Sequence, residues 1–299
     1  MIMIKFKTSK CPAMFLIVAV AFIGGGVPAF VKIALRNIPV FTFTFLRFLL
    51  AGLVLIPVFL AKKKPIVKKK LKQAILISLL ATANVTLFAL GVKKTTATIG
   101  QMLYAAVPIF ASIFSYFLLK KKIKAKKLMG ILLGFIGVLI IVLLPALRKS
   151  SVFAGTLTGN LLVFIAVASY SLYTVLSKKL HQNFSPFSLT VIFITTTILA
   201  QSFLLPFELK SDLGFWKNIS MLSLVGLVYV AVLGTAVFYL IYQQAIKKTT
   251  PIIVSMVFYI QPVAAFLWSF VLLGERLTPS FIIGGALALV GAGIVTRQK

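Results

Sequence analysis

Apolar residues fall into ten blocks of about 20 residues, and short segments that hold most of the charged residues separate the blocks. A helix of roughly 20 apolar residues crosses the ~30 Å hydrocarbon layer of a bilayer. Because the connecting segments are short, the chain has no room for a soluble domain. The pattern predicts ten transmembrane helices, here numbered spans one to ten, at residues 13–31, 41–60, 73–91, 98–119, 128–145, 157–177, 187–206, 219–244, 251–273 and 281–296.

Two stretches of the chain repeat each other without a gap. Residues 92–142 align with residues 246–296 at a constant offset of 154, with 15 identities in 51 positions that include a Lys-Lys-Thr-Thr segment, a proline and two glycines. This spacing indicates a duplicated unit of five spans, with the two copies at 1–148 and 149–299. Since five is odd, the second copy enters the membrane from the opposite side. We therefore expect an all-α polytopic membrane protein with ten transmembrane helices arranged as two inverted five-helix repeats.

Composition agrees with this fold class and excludes a basic nucleic-acid-binding protein. Apolar residues make up 61% of the chain, the mean hydropathy is +1.10, and there are only three acidic residues. The net charge of +29 comes from short runs between apolar blocks, such as 62–72 and 120–127, rather than from one basic face. We interpret these runs as topology signals that contact anionic lipid headgroups on the cytoplasmic side, and we expect no nucleic-acid partner.

Basic residues also predict the orientation. With the N-terminus inside, the inner segments hold 22 Lys and Arg residues and the outer loops hold 9. Both termini are therefore expected in the cytoplasm of a bacterium or archaeon, with the chain integral to the plasma (inner) membrane. The basic N-terminus resembles a signal peptide, but no small-residue cleavage pattern follows it, so we expect the first apolar block to be retained. Cys11 is the only cysteine, which rules out a disulfide within the chain.

Several segments resemble a known transporter unit. Gly274, Glu275 and Arg276 match its GE-R element, and residues 22–35 and 45–57 look like its first two spans. Together with the tandem arrangement, these segments resemble the EamA-type unit of the drug/metabolite transporter superfamily over essentially the whole chain. In the first copy, Lys120, Lys121 and Lys122 replace the GE-R element.

The resemblance implies a ten-helix inner-membrane carrier that often exports amino acids or similar solutes. It also implies a central cavity lined mainly by spans one to four and six to nine, with spans five and ten at the periphery. Inverted repeats can exchange two related shapes, which provides alternating access to a site near the bilayer midplane. No phosphate-binding GxxxxGK[ST] loop is present, which excludes ATP-driven pumping by this chain alone. With the resemblance, the expected function is secondary transport of small metabolites, amino acids or related solutes, outward.

Three other functions remain as alternatives. Some relatives of the superfamily flip lipids or lipid-linked sugars, which would require a polar groove open to the bilayer. An inverted repeat argues against a channel. An enzyme would normally need clusters of His, Asp, Glu or Cys, whereas this chain has one His and one Cys. We expect no catalytic residue, no cofactor and no metal.

Polar and aromatic residues within the spans are the candidates for a substrate site, because such groups must face protein or water rather than lipid. Each could also serve only to hold helices together. The candidates are Asn84, Gln101, Tyr104, Tyr170, Tyr173, Thr235, Tyr239, Tyr242, Ser255, Tyr259, Gln261 and Trp268. Many are not shared between the copies, and we expect the binding surface to be weighted toward the second copy. Pro108 and Pro262, which both copies keep, are candidate hinge or cavity residues.

Two charged residues have open roles. Arg47, near the start of span two, could attract a carboxylate or could hold the helix, and we slightly favour the structural role. Glu275 could couple transport to protons, but its position at the end of span nine argues against this. Glycines in spans five and ten could pack within a monomer or form the seam of a homodimer, and we favour the monomer.

Overall fold

The computed structural model describes residues 10–61, 68–120, 125–147, 155–209, 214–248, 250–255, 257–276 and 279–297. These residues form helices and short connections, and they contain no strand. In the first copy, spans one, two, three and five are the single helices Lys10–Ala34, Val40–Ala61, Lys68–Lys94 and Ala125–Leu147. Span four comprises Ala97–Leu103, a 3₁₀ turn at Tyr104–Ala106 and Val107–Leu119.

The second copy follows the same order. Spans six, seven and ten are the helices Leu157–Leu180, Pro186–Leu209 and Pro279–Arg297. A short 3₁₀ helix, Phe215–Asn218, precedes span eight, which consists of Met221–Ala231, a π-helical segment Val232–Val237 and Phe238–Lys248. Span nine consists of Pro251–Val254 and Val257–Leu273.

Length and apolar composition suit a membrane. Within the described residues, six helical spans (two, three, four, six, seven and eight) are long and apolar enough to cross a bilayer, and shorter apolar stretches occur in spans one, five, nine and ten. The two prolines that both copies keep, Pro108 and Pro262, differ in setting. Pro108 follows directly on the 3₁₀ turn that interrupts span four, whereas Pro262 lies inside the continuous helix Val257–Leu273. Only the first proline therefore marks a break in its helix.

The helix pairs follow an approximate twofold relation between the copies. Span one packs on spans nine and eight, and its counterpart, span six, packs on the equivalent spans four and three. Span two packs on span eight as span seven packs on span three, while the pairs two–seven, four–nine and five–ten are each their own counterpart. Most extensive contacts thus join one copy to the other, so the two repeats interlock and do not form separate domains.

Two lysines show that the copies are inverted. Lys32, in the last turn of span one, lies beside Glu275 after span nine, and Thr95 at this end bonds Asn160 near the start of span six. Lys178, in the last turn of span six, is therefore at the opposite end, where it binds the carbonyls of Ile246 and Lys247. Equivalent helices run in opposite directions, which confirms the predicted inverted repeat. These two ends of the bundle are called the Lys32 end and the Lys178 end.

Spans five and ten pack against each other through glycine. A Cβ on Gly291 would lie 2.3 Å from the backbone nitrogen of Gly134 and 2.5 Å from the carbonyl oxygen of Gly130. Small residues allow helix backbones to approach this closely in a membrane. The opposite faces of these spans carry exposed apolar side chains, among them Leu132, Ile136, Ile282 and Val290. These glycines therefore pack within one chain, and the outer faces suit contact with lipid.

We expect Gly291→Ala to lower the melting temperature of the purified protein, because its Cβ would press on the backbone of span five. Overpacking of this kind costs about 1–3 kcal/mol. Gly293→Ala is the matched control, since a Cβ there meets no atom within 4 Å. Thermal unfolding in detergent compares the two variants. Equal melting temperatures would show that spans five and ten do not pack as described.

A half-buried histidine follows span six at the Lys178 end. Burial lowers the pKa of His181 to about 4, below the ordinary value of 6.5. Between these two values the unfolded chain binds more protons than the folded chain, so stability should fall as the pH decreases from about 6.5 to 4. His181→Asn should show a shallower fall in melting temperature over this window. If the melting temperatures of both proteins fell equally over this pH range, His181 would not be the group that makes stability depend on pH.

Candidate functional site

A cavity of about 60 Å³ lies between the two repeats. This space exceeds the roughly 10–15 Å³ that one water needs, so it can admit a small solute group. Nearly all of the lining side chains are buried from the outer surface. The lining residues come from spans one, two, three, four, six, eight and nine, and are Gly24, Val27, Arg47, Asn84, Val85, Phe88, Gln101, Tyr104, Tyr170, Gly234, Phe238, Tyr239, Phe258 and Gln261.

Equivalent positions of the two copies line the cavity together. At the offset of 154, Asn84 corresponds to Phe238, Val85 to Tyr239, and Tyr104 to Phe258, and all six residues line it. The cavity therefore lies on the approximate twofold relation between the repeats. The two copies contribute lining residues at equivalent positions, but the side chains at these positions differ in polarity. Polar groups of the lining come from both copies, so the expected weighting of the binding surface toward the second copy stays a prediction.

Arg47 reaches the cavity from span two. It is only 3% exposed, and its Nε donates a 2.6 Å hydrogen bond to the hydroxyl of Thr235. Thr235 lies in the π-helical segment of span eight and donates in turn to the carbonyl of Val230, five residues earlier, at 2.8 Å. Segments of π-helix often occur at functional sites. Here the segment orients the threonine that holds the guanidinium.

The terminal nitrogens of Arg47 have no hydrogen-bond or ion-pair partner among the described residues. A guanidinium carries five N–H donors, and only the Nε–H is used. A buried cation without an anion is costly unless the site supplies one. The structural role that the sequence favoured for Arg47 therefore accounts for one of its donors and leaves the others available to a bound anion.

Asn84 holds Tyr104 in place on the other wall. The Asn84 side-chain nitrogen donates to the hydroxyl of Tyr104 at 2.6 Å and to the carbonyl of Ala166 at 2.8 Å. Since the Tyr104 hydroxyl accepts this bond, its own proton is free to be donated into the cavity. The Tyr104 ring also packs edge-on against Phe88. The pair therefore presents a fixed hydroxyl donor beside apolar rings.

Two glutamines join the copies at the cavity. Gln101 Nε2 donates to Gln261 Oε1 at 2.9 Å, and both residues are buried. Gln261 Nε2 has no hydrogen-bond partner. Gly24 makes room for this amide, because a Cβ there would lie 2.1 Å from Gln261 Nε2. An unpaired buried amide of this kind is a candidate donor to a bound solute.

The remaining candidates lie around the cavity rather than on its lining. Tyr173 accepts from Gln243, Tyr242 bonds Thr174, and Ser255 donates to the carbonyl of Ile252. Trp268 donates to the carbonyl of Phe22 at 3.3 Å and packs on Phe30, so it joins spans one and nine. Thr235 acts through Arg47, and neither Pro108 nor Pro262 is part of the lining. Tyr259 is on span nine, but its side chain lies outside the described part of the structure.

Glu275 serves to cap a helix and to close the Lys32 end. Gly274 has a φ of +65° and ends span nine, and the chain then turns so that Glu275 accepts bonds from the backbone nitrogens of Ala97 and Thr98 at 2.8 and 2.9 Å. A carboxylate at a helix N-terminus is favourable. Glu275 also lies 3.8 Å from Lys32, which donates to the carbonyl of Thr95. Gly274 and Glu275 thus connect the end of span nine to spans one and four.

Glu208 has a similar capping role that the sequence did not suggest. Its carboxylate accepts from the backbone nitrogens of Phe41 and Thr42 and from the Thr42 hydroxyl at the start of span two. Other lining residues that sequence reasoning missed are Gly24, Val27, Val85, Phe88, Gly234, Phe238 and Phe258. The offset of 154 could have identified Val85, Phe238 and Phe258, because each is equivalent to a residue that was a candidate.

Comparisons with known proteins agree with this architecture. The model of the EamA-like transporter family matches twice, over residues 12–143 and 157–297. The uncharacterized transporter YetK of Bacillus subtilis is 28% identical over 94% of this chain and 85% of its own length. An uncharacterized transporter of Archaeoglobus fulgidus is also 28% identical, over 90% of this chain and 92% of its own.

A solved crystal structure shares the fold. It superimposes with a TM-score of 0.66 over 96% of this chain and 97% of its own, at 17% identity, so the likeness concerns the fold alone. The family match covers both repeats, and the relatives of similar length are named as transporters. This integral membrane protein belongs to the EamA-like transporter family.

Proposed function

We propose that this membrane transporter moves small metabolites, amino acids or related solutes, outward by alternating access and without ATP. The observation that carries the proposal is a cavity between interlocked inverted repeats that holds the buried cation Arg47. A site at the interface between inverted repeats is the arrangement that secondary carriers use. Because the lining is mostly buried inside the bundle, it suits a solute better than a lipid held in a lateral groove.

The contacts at the two ends support alternating access. At the Lys32 end, Lys32 binds the carbonyl of Thr95 and lies beside Glu275. At the Lys178 end, Lys178 binds the carbonyls of Ile246 and Lys247 at 2.9 and 3.0 Å. In each closure, a lysine in the last turn of an equivalent helix binds backbone carbonyls at the end of a neighbouring span. If the contacts at the Lys32 end break while those at the Lys178 end hold, the cavity opens to the Lys32 side alone. The converse change opens it to the Lys178 side alone.

The charge distribution supports an orientation. We propose that the Lys178 end and both termini face the cytoplasm of a bacterial or archaeal cell, since most basic residues are on that side. The exposed residues Lys68, Lys69 and Lys70, which begin span three, would then contact anionic headgroups of the inner leaflet. The Lys32 end would face outward.

Reconstitution of the full chain in proteoliposomes tests the proposed function. Uptake of radiolabelled amino acids, nucleobases and sugars is measured with and without an imposed pH gradient, and empty liposomes are the control. Saturable uptake that is accelerated by unlabelled solute on the other side is expected from a carrier. Uptake that does not saturate would indicate a channel. Flipping of a fluorescent lipid without any solute uptake would overturn the proposal in favour of a flippase.

A further inference from the structure

We infer that the cavity selects an organic anion, a carboxylate carried on a compact apolar or aromatic body, over a zwitterion or an amine of the same shape. This inference rests on the proposed function, the transport of small metabolites, and within that class it places simple carboxylates ahead of amino acids. It follows from the balance of charge, of hydrogen-bond donors and of apolar surface at the site.

The charge balance comes first. Among the described residues that line the cavity, Arg47 carries a positive charge and none is acidic. The chain has three acids. Glu208 and Glu275 both bind helix N-termini at the Lys32 end, and Asp212 lies outside the described residues. The lining therefore offers a positive charge and no carboxylate to receive an ammonium group.

Free donors point to the same conclusion. The terminal nitrogens of Arg47, the Tyr104 hydroxyl and Gln261 Nε2 all remain available in the cavity. A carboxylate has about four lone-pair sites and can accept several such bonds, two of them from one guanidinium. Bonds to charged groups are roughly twice as strong as neutral ones. The site can thus satisfy an anion with N–H and O–H donors that the hydrogen bonds within the protein leave unused.

Apolar surface defines the other part of the ligand. Phe88, Phe238 and Phe258 line the cavity with Val27 and Val85. These side chains offer no hydrogen bond, so they suit a hydrocarbon or aromatic group. An ammonium placed among them would lose its hydration without a compensating charge, which is costly in a buried site. A zwitterion bears this cost at one of its two charges, whereas a simple carboxylate does not.

Matched ligands separate the classes. Phenylalanine, 3-phenylpropionate and 2-phenylethylamine share one aromatic body and present a zwitterion, an anion and a cation at pH 7.5. Leucine, 4-methylpentanoate and 3-methylbutylamine form a second, aliphatic set. Binding to the purified full chain in detergent is measured by intrinsic fluorescence and by ligand-induced thermal stabilisation. We expect the anion of each set to bind at least about tenfold more tightly than its two partners.

Variants identify the residue responsible. Arg47→Gln should abolish the preference for the anion, while Arg47→Lys should keep the order with weaker binding, because lysine retains the charge but not the planar fork. Lys217→Gln removes an exposed lysine from the short helix before span eight and should leave binding unchanged. Equal binding of anion and zwitterion, tighter binding of the amine, or no binding of any of the six compounds would each overturn the inference.

The two proposals fail separately. Saturable transport of amino acids together with no preference for anions would leave the proposed function in place and remove this inference. Selective binding of anions by a protein that transports no solute in proteoliposomes would keep this inference and remove the proposed function.

Discussion

Replacement of Arg47 by methionine is expected to lower transport by roughly 10- to 100-fold, the loss that follows from removing about 1.5–3 kcal/mol of hydrogen bonding to a charged group. The same change should raise the melting temperature of the ligand-free protein. Arg47 is buried, it uses one donor on Thr235, and it faces no carboxylate. Exchanging poorly compensated buried charge for an apolar side chain of similar length often stabilises a protein by about 1–4 kcal/mol.

Opposite changes in activity and stability distinguish a binding residue from a structural one. The measurements are initial rates in proteoliposomes and thermal unfolding in detergent, on protein that elutes as a single species. Leu46→Met is the matched control, because Leu46 precedes Arg47 on span two and packs against the core without lining the cavity. Lower stability of Arg47→Met with normal transport would show that the arginine only holds span two.

The location of the helices could be predicted from the sequence because burial in lipid demands long apolar blocks. The blocks at 41–60 and 187–206 fall inside the observed helices Val40–Ala61 and Pro186–Leu209. Interruptions within spans were harder to predict. Pro108 indicated the break in span four, whereas the π-helical segment Val232–Val237 has no proline and is bonded to span two through Thr235 and Arg47. Such a segment is stabilised by tertiary partners, and a local pattern does not reveal them.

The candidate site also shows which features a local sequence pattern predicts and which depend on the packing of distant spans. Polar residues in an apolar span, such as Asn84 and Gln101, must face protein, and this rule correctly placed them inside the bundle. It did not distinguish a residue that lines the cavity from one that joins helices around it, as the positions of Tyr239 and Tyr242 show. The partner of Arg47 is 188 residues away in sequence. Only the packing of spans two and eight brings the two together.

Loss of the Glu275 carboxylate is expected to weaken closure of the Lys32 end. In Glu275→Gln, one carboxylate oxygen is replaced by an NH₂ group that cannot accept, so either Ala97 or Thr98 keeps a buried N–H without a partner, at about 1–3 kcal/mol. The ion pair with Lys32 is also lost. Both effects release span nine from spans one and four at this end. A larger share of the molecules should then be open to that side.

Access to the cavity from one side measures this change. A single cysteine replaces Val85, a buried lining residue, in a chain where Cys11 is serine, and a membrane-impermeant maleimide is applied to sealed vesicles of known orientation. We expect labelling from the Lys32 side to be several-fold faster in Glu275→Gln than in the parent, with no increase from the opposite side. Arg276→Gln alters the exposed neighbouring charge and should label at the parent rate. If both variants label at that rate, Glu275 stabilises span four alone and takes no part in closing the Lys32 end.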